Sequence, residues 1–226
     1  MRLARFWAAA LLWEIDDETE EEIGLLPTDG TPLPFLFLPV PEPKVGKNRL
    51  HLDLVSESPE HQSEMVERLI ALGARRVDIG QGGEASWVVM ADPEGNEFCV
   101  VVRGDFLATT GLVGSVVFEP ADPVVGRFWS EAAGWPMVYD HDGDTAIRAP
   151  DGRGPFVTFG PPTGAVKTGK NRIHLDLAPP ANGDQAAEVE RLIAVGARRV
   201  DIGQGHVSGV GMADPEGNEF WVLTPR

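Results

Sequence analysis

The 226-residue sequence predicts an α+β fold built from tandem βαβββ modules, and two observations predict it. The first is an internal repeat: residues 46–81 align with residues 169–204 with 24 of 36 positions identical, and residues 90–98 recur as 212–220. The second is the element order, because β-rich segments alternate with amphipathic helical segments in a fixed pattern. The period is too long for a solenoid unit. We therefore expect two copies of one domain, at residues 1–106 and 112–226.

The second copy starts with a predicted strand and a predicted helix. Residues 113–119 are rich in β-branched side chains. Asp122 and Pro123 then supply an N-cap followed by proline at the first helical position, and Gly134 ends the helix. Three short strands separated by Asp, Gly and Pro turns are predicted after the helix, at residues 136–140, 145–148 and 156–159.

The same order then repeats within this copy. Alternating polar and apolar residues predict a strand at 172–177, and apolar residues at helical spacing predict a helix at 185–195 that ends at Gly196. Three further strands are predicted at residues 199–203, 209–213 and 219–223, the last two joined by a DPEGN turn.

The first copy differs at its start. Residues 2–13 begin like a signal peptide, with a basic residue before an apolar stretch, but their RFW motif recurs at 127–129 inside the chain, so we expect a helix of the fold. In this alignment Met1 falls within that helix, and the strand equivalent to 113–119 has no counterpart. A truncated or misassigned start is favoured over a seven-strand remnant with an exposed edge. The acidic run 16–22 predicts a solvated loop or strand edge.

Composition and charge exclude several classes of protein. The chain has 19 Lys and Arg against 35 Asp and Glu, and the resulting net charge of −16 opposes binding to nucleic acid or to an anionic membrane. No apolar run approaches the ~18 residues that a membrane span needs. The single cysteine, Cys99, allows no disulfide within the chain and no cluster of thiolates around a metal. We therefore expect a cytoplasmic globular protein.

The NR(L/I)HLDL strand and the DPEGNEF hairpin, in this module order, resemble the vicinal oxygen chelate superfamily. This is the glyoxalase, bleomycin-resistance and extradiol-dioxygenase group, and the resemblance is closest to its glyoxalase-like subgroup. It covers nearly the whole chain. It implies two glyoxalase-like domains whose paired modules curl mixed sheets into an open cup, with helices outside and a small-molecule ligand inside. Because modules pair within or between chains, it implies a monomer or a homodimer, and it leaves the reaction open.

The candidate catalytic residues lie on the first strand of each repeated block. Strand alternation puts the leucines of residues 50–54 on the core side, so His51 and Asp53 point to the opposite face, and His174 and Asp176 repeat this pattern. A histidine beside an aspartate suits general acid–base catalysis. Two alternatives stay open: the pairs line a pocket without catalysis, or they hold the fold together by hydrogen bonds.

A catalytic metal and any other cofactor are predicted to be absent. The resemblance implies His or Glu ligands on the first, fourth, fifth and eighth strands of a site, and only the fifth-strand position, His51 or His174, fits. A catalytic metal site needs about three protein ligands. His51 and Asp53 could ligate together only with a third partner that the sequence does not reveal. The other positions hold Ser115, about Gly160 and Trp221 in the second copy, and about Leu38 and Cys99 in the first.

Candidate ligand-binding residues complete the predicted site. Trp87 and Trp221 offer flat rings that can stack on a ligand, and Arg172 can attract an anion. Cys99 and Ser115 occupy positions that face the ligand in the resembling proteins. For four of these residues there is a simpler interpretation: the two tryptophans belong to the core, the cysteine is inert packing, and the arginine pairs with carboxylates.

Two function hypotheses follow from these residues. The first is a metal-independent isomerase, lyase or hydrolase that uses a His–Asp pair for proton transfer. The second is a non-catalytic drug- or metabolite-binding protein of the bleomycin-resistance kind, for which the acidic charge favours a basic compound. A scaffold role without a ligand is the third possibility. In each of the first two the expected partner is a small molecule, with neither nucleic acid nor membrane involved.

Overall fold

The structure, a computed structural model, describes residues 2–82, 85–119, 122, 124–161, 167, 169–201 and 208–226. These residues have the predicted mixed α+β fold. The described helices are α1 (Arg2–Leu11), α2 (Pro59–Leu72), α3 (Val124–Ala133) and α4 (Gln185–Ala194). The described strands are β1 (Glu14–Glu18), β2 (Ile23–Leu26), β3 (Phe35–Phe37), β4 (Leu50–Ser56), β5 (Arg75–Arg76), β6 (Val88–Ala91), β7 (Glu97–Val102), β8 (Val113–Phe118), β9 (Met137–His141), β10 (Asp144–Ile147), β11 (Phe156–Phe159), β12 (Arg198–Arg199), β13 (Val210–Ala213) and β14 (Glu219–Val222).

The chain divides into two compact units. Unit 1 comprises Met1–Val117 with Asp151–Phe156, and unit 2 comprises Phe118–Pro150 with Val157–Arg226. None of the described helices combines the length and the apolar character needed to cross a membrane.

Unit 1 contains two sheets. Strands β1, β2 and β3 form an antiparallel sheet in that order, with the acidic β1 at its edge. The larger sheet has the order β5-β6-β7-β4-β8, in which β4 pairs parallel with β7 and β6 pairs antiparallel with β7. The leucines of β4 are buried toward the core, and α2 packs on β4 and β7. The centre of this sheet therefore fixes the position of the polar residues of β4.

Capping side chains mark the starts of α2, α3 and α4. The Ser58 hydroxyl accepts the His61 N–H at the start of α2, Pro59 occupies the first turn, and Gly73 ends the helix with a φ of 114°. In α4 the Asp184 carboxylate accepts the Ala187 N–H. Asp122 likewise accepts the Val124 N–H at the start of α3.

Each unit contains one copy of a contact between the RFW helix and the DPEGNEF hairpin. The Trp7 Nε1 donates to Asp92 Oδ2 at 3.3 Å in unit 1, and the Trp129 Nε1 donates to Asp214 Oδ2 at 3.2 Å in unit 2. All four side chains are buried. Burial raises the pKa of the Asp214 carboxyl, and the N–H groups that it accepts act in the opposite direction. The RFW and DPEGNEF motifs therefore recur in part because each unit makes the same structural contact between them.

Unit 2 contains the antiparallel strand sets β11-β10-β9 and β12-β13-β14. The strands predicted after α3 and α4 form within one residue of their expected ends, except the strand predicted at 199–203: β12 ends at Arg199, and residues 200 and 201 form no strand. Residues 202 and 203 of the strand predicted at 199–203 lie outside the described residues.

The strand predicted at residues 172–177 is wrong for most of its length. Residues 172–176 form no strand, and only Leu177 makes a parallel bridge, to Val222 of β14. Its sequence nearly repeats that of β4, which lies between β7 and β8. Among the described residues of unit 2, residues 172–177 pair with β14 alone. Within this described part, Leu177 alone exchanges backbone hydrogen bonds with β14, and the Trp221 N–H is donated to the Asp176 carboxylate instead of to a backbone carbonyl, so no ladder extends over residues 172–176.

Candidate functional site

The polar face of β4 carries the candidate site of unit 1. His51 and Asp53 are two residues apart on one strand, so their side chains leave the same face of the sheet. The His51 Nε2 lies 3.5 Å from Asp53 Oδ1, and the two side chains are only 13% and 19% exposed. The predicted pair is thus in contact and largely shielded from solvent.

Cys99 joins this pair through the register of the sheet. β4 and β7 run parallel with Asp53 directly opposite Cys99, which is 6% exposed. One ligand atom from each of His51, Asp53 and Cys99 lies within 4.8 Å of the other two. Sequence analysis identified these three residues as separate candidates. It could not predict that they lie together, because their proximity depends on the register between β4 and β7.

These three residues fit a bound divalent metal. They offer one imidazole nitrogen, one carboxylate oxygen and one sulfur, which are the donor types that Zn²⁺ takes, and three protein ligands are the usual number at a catalytic zinc. From the sequence, no third ligand could be placed beside His51 and Asp53. The prediction that no metal binds depended on the lack of a third ligand, and in the folded protein Cys99 is a candidate for that ligand.

The equivalent residues of unit 2 are arranged differently. The His174 Nε2 lies 2.9 Å from the Asn171 carbonyl oxygen, and Asp176 Oδ1 accepts the Trp221 backbone N–H at 2.9 Å. Part of the Asp176 side chain is exposed, yet the surrounding protein reduces its solvation, and this raises the pKa of its carboxyl. The Trp221 N–H, His174 and Arg226 act in the opposite direction. These two hydrogen bonds of the His-x-Asp sequence are thus made to the backbone of its own unit.

At two equivalent positions of the repeat, each copy has one tryptophan, but at a different one of the two. Unit 1 has Trp87 before β6 and Cys99 on β7, whereas the equivalent positions of unit 2 hold Gly209 and Trp221. A methyl group on Gly209 would lie 3.0 Å from Cε3 of Trp221, so the indole packs against the glycine backbone. Trp87 is 43% exposed. Unit 1 therefore keeps a small thiol at the position that an indole takes in unit 2.

Ser115 and Arg172 are the remaining predicted ligand-binding residues. Ser115 is buried on β8, the neighbour of β4 in the sheet of unit 1. Arg172 is half-buried at the start of the segment that forms no strand. Their role in ligand binding stays a prediction.

Sequence analysis did not identify the ion pair that fixes the loop before β4. The Lys44 Nζ bonds to Glu97 Oε1 at 2.7 Å and to the Gly46 carbonyl, while Glu97 Oε2 accepts the Asn48 N–H, so the loop before β4 is tied to β7. Lys167 and Glu219 repeat the ion pair in unit 2. Recurrence of both residues in the repeat was the available signal. A shallow cavity of about 380 Å³ lies beside this pair in unit 1.

Comparison with known proteins agrees with this architecture. A family model described as glyoxalase-like domain matches residues 1–101 and 115–223. No curated protein matches the chain. Glyoxalase I from Zea mays is similar in structure, with 13% identity and a TM-score of 0.67 over 99% of this chain and 87% of that one. A proposed dioxygenase from Bacillus subtilis has 16% identity and a TM-score of 0.59 over 99% and 80% of the two chains.

A third solved structure, a glyoxalase/bleomycin resistance protein from Albidiferax ferrireducens, matches 51% of this chain and 100% of its own, with 19% identity and a TM-score of 0.38. At these identities the first two structures show a shared fold and leave the activity open. The family model covers both repeats. The chain therefore belongs to the glyoxalase-like domain family of the vicinal oxygen chelate superfamily.

Proposed function

We propose that this protein binds a small organic ligand on the polar face of β4 in unit 1 and uses His51, oriented by Asp53, to transfer a proton. The contact between His51 and Asp53 carries the proposal, because a base must be held in one orientation to act on a bound substrate. Proton transfer of this kind serves an isomerase, a lyase or a hydrolase. The limited exposure of both side chains supports a site that excludes bulk water.

The two copies support placing the chemistry in unit 1. His51 contacts a carboxylate, whereas the His174 ring nitrogen contacts a backbone carbonyl. The Asp176 carboxylate accepts a backbone N–H from Trp221. His174 and Asp176 therefore serve as a natural control for the same His-x-Asp sequence in other surroundings.

The test compares His51→Ala with His174→Ala in chelator-treated protein. A thermal-shift panel of small aromatic, anionic and cationic compounds identifies a ligand, and NMR then follows whether that ligand is consumed. We expect His174→Ala to keep binding and turnover, and His51→Ala to lose turnover by about 100-fold or more, the range of general acid–base catalysis. Retained turnover in His51→Ala, or loss confined to His174→Ala, would contradict the proposal.

A non-catalytic binding protein is the second candidate, and Trp221 favours it. Its indole packs on Gly209, and its backbone N–H is donated to the Asp176 carboxylate, so unit 2 offers an aromatic ring and a carboxylate on residues that contact each other. Such a pair suits a cationic aromatic compound. For this function, Trp221→Ala loses binding of a compound that NMR shows to be unchanged, and His51→Ala has no effect.

The remaining parts of the proposal concern the setting of the protein. We place it in the cytoplasm, as a monomer or a homodimer, with a small molecule as its partner and with domain bounds of 1–106 and 112–226. The net charge of −16 supports a partner other than nucleic acid or an anionic membrane.

A further inference from the structure

We infer that His51, Asp53 and Cys99 form a binding site for one divalent cation that accepts sulfur, of the Zn²⁺ or Co²⁺ class. The inference goes beyond the proposed function and does not depend on it. With the cation bound, His51 and Asp53 act as ligands, so the proton-transfer role described above belongs to the metal-free protein.

The geometry of the donors supports coordination. In a tetrahedral zinc site with bonds of about 2.0 to 2.3 Å, neighbouring ligand atoms lie about 3.3 to 3.8 Å apart. The His51 Nε2 and Asp53 Oδ1 are already 3.5 Å apart. The third donor atom, from Cys99, lies within 4.8 Å of both of the others, which leaves a small side-chain rotation to complete the set.

The backbone holds these donors in place. β4 lies between β7 and β8, and the parallel ladder sets Asp53 opposite Cys99. The Lys44–Glu97 ion pair ties the loop before β4 to the start of β7, two residues from Cys99. Donors on central strands lose little freedom when they bind, so the cost of organising the site is low.

Charge and donor type select the cation. A Cys99 thiolate and an Asp53 carboxylate together carry two negative charges, which one divalent cation neutralises in a site that is largely shielded from solvent. Sulfur ligands favour Zn²⁺ and its relatives, while Mg²⁺, Ca²⁺ and Mn²⁺ prefer oxygen. Unit 2 has Trp221 at the equivalent position, and the described residues contain no second group of this kind. We therefore expect one cation per chain.

The test is a Co²⁺ titration of chelator-treated full-length protein that carries no histidine tag, under a non-thiol reductant and without organic ligands. Co²⁺ bound by a thiolate produces a charge-transfer band in the near ultraviolet, and Cys99 is the only thiol in the chain. We expect this band to saturate at one Co²⁺ per chain. Zn²⁺ should abolish it by competition, and a large excess of Mg²⁺ should leave it unchanged.

Matched variants separate coordination from folding. Cys99→Ser should remove the band and weaken Zn²⁺ binding by at least about 100-fold, since loss of a direct ligand costs more than the 10- to 100-fold typical of outer-shell partners. His51→Ala should weaken binding similarly, and His174→Ala should match the unaltered protein. Melting curves of the metal-free variants check that each is folded. Failure of the folded, unaltered protein to develop the band, or equal Zn²⁺ affinity in Cys99→Ser, would overturn the inference while leaving the organic-ligand test untouched.

Discussion

The tryptophan of each RFW helix ties that helix to the hairpin of its own repeat. In unit 1, Trp7 donates a hydrogen bond to the buried Asp92 and packs its ring 5.1 Å from that of Phe98 in an edge-on arrangement. We predict that Trp7→Phe lowers the free energy of unfolding by about 1 to 3 kcal/mol, because a buried carboxylate oxygen loses one of its donors. Urea denaturation followed by circular dichroism measures the change.

Trp87→Phe is the control for that substitution. The Trp87 side chain is 43% exposed, so its loss should change the free energy of unfolding by less than about 0.5 kcal/mol. If both variants lost the same stability, the contact between Trp7 and Asp92 would not be the cause.

The same residues illustrate how far a sequence can be interpreted. Strand alternation alone predicted that His51 and Asp53 share a face, and they do. The approach of Cys99 depends on the register of two parallel strands that are separated in the chain by a helix and two further strands. The bond from Trp7 to Asp92 spans 85 positions. Such long-range pairings require the folded chain, because no local preference specifies them.

An arginine connects α4 to the end of α3 in unit 2. Arg191 donates to the Ala132 and Glu131 carbonyl oxygens, which lie in the last turn of α3, and it also makes two hydrogen bonds to Glu188. The pKa of the Glu188 carboxyl lies below its ordinary value of 4.5, mainly because its carboxylate accepts hydrogen bonds from Arg191. Arg68 makes the equivalent carbonyl contacts in unit 1, where Met65 replaces the glutamate.

This lowered pKa predicts a pH-dependent contribution to stability. Because the folded pKa lies below the unfolded one, the contribution is complete above pH 4.5 and disappears as the pH falls through the folded pKa. Glu188→Gln should therefore reduce the free energy of unfolding at pH 7 by about 0.5 kcal/mol, the range of partly exposed pairs, and the difference should vanish in acid. Urea denaturation over a descending pH series measures it.

Glu190→Gln on the same helix is the control, since its pair with Arg199 is exposed and should contribute little at any pH. A Glu188→Gln deficit that stayed constant into acid would mean that packing, and not charge, causes the loss.

Element prediction succeeded where local signals and pairing agree. Caps and turns placed the ends of α3 and α4 to within one residue because these signals act within a few residues. The repeat predicted one strand twice, at β4 and at residues 172–177, and only β4 forms. The two segments differ little in sequence, so the difference lies in their pairing: β4 forms ladders with β7 and β8, whereas Leu177 alone bridges to β14. A strand is thus specified by its sheet as well as by its own residues.

Across the whole chain, the duplication preserved the structural contacts while the polar faces diverged. The bonds from tryptophan to aspartate and the lysine–glutamate pairs occur in both units. In contrast, Cys99 is replaced by Trp221, and the two His-x-Asp sequences have different partners. Contacts that hold the fold are needed in both units, whereas the proposed function needs one site only. This asymmetry is the reason for testing each unit against the other.

The net charge of −16 leads to a prediction about partners. Proteins that bind DNA without sequence preference do so with Kd values of about 1 to 100 μM, through basic residues that displace counterions. Here several basic residues are already paired with carboxylates, among them Lys44, Arg103, Lys167 and Arg191. We therefore predict no shift of a short DNA duplex in a gel assay at about 100 μM protein and physiological salt. At pH 7 the protein should bind an anion exchanger. A shift of the DNA band would contradict this prediction. Lys47→Ala and Lys170→Ala would then test whether the lysines of the two GKNR segments bind phosphate despite the net negative charge. Loss of a phosphate contact weakens DNA binding and reduces its salt dependence.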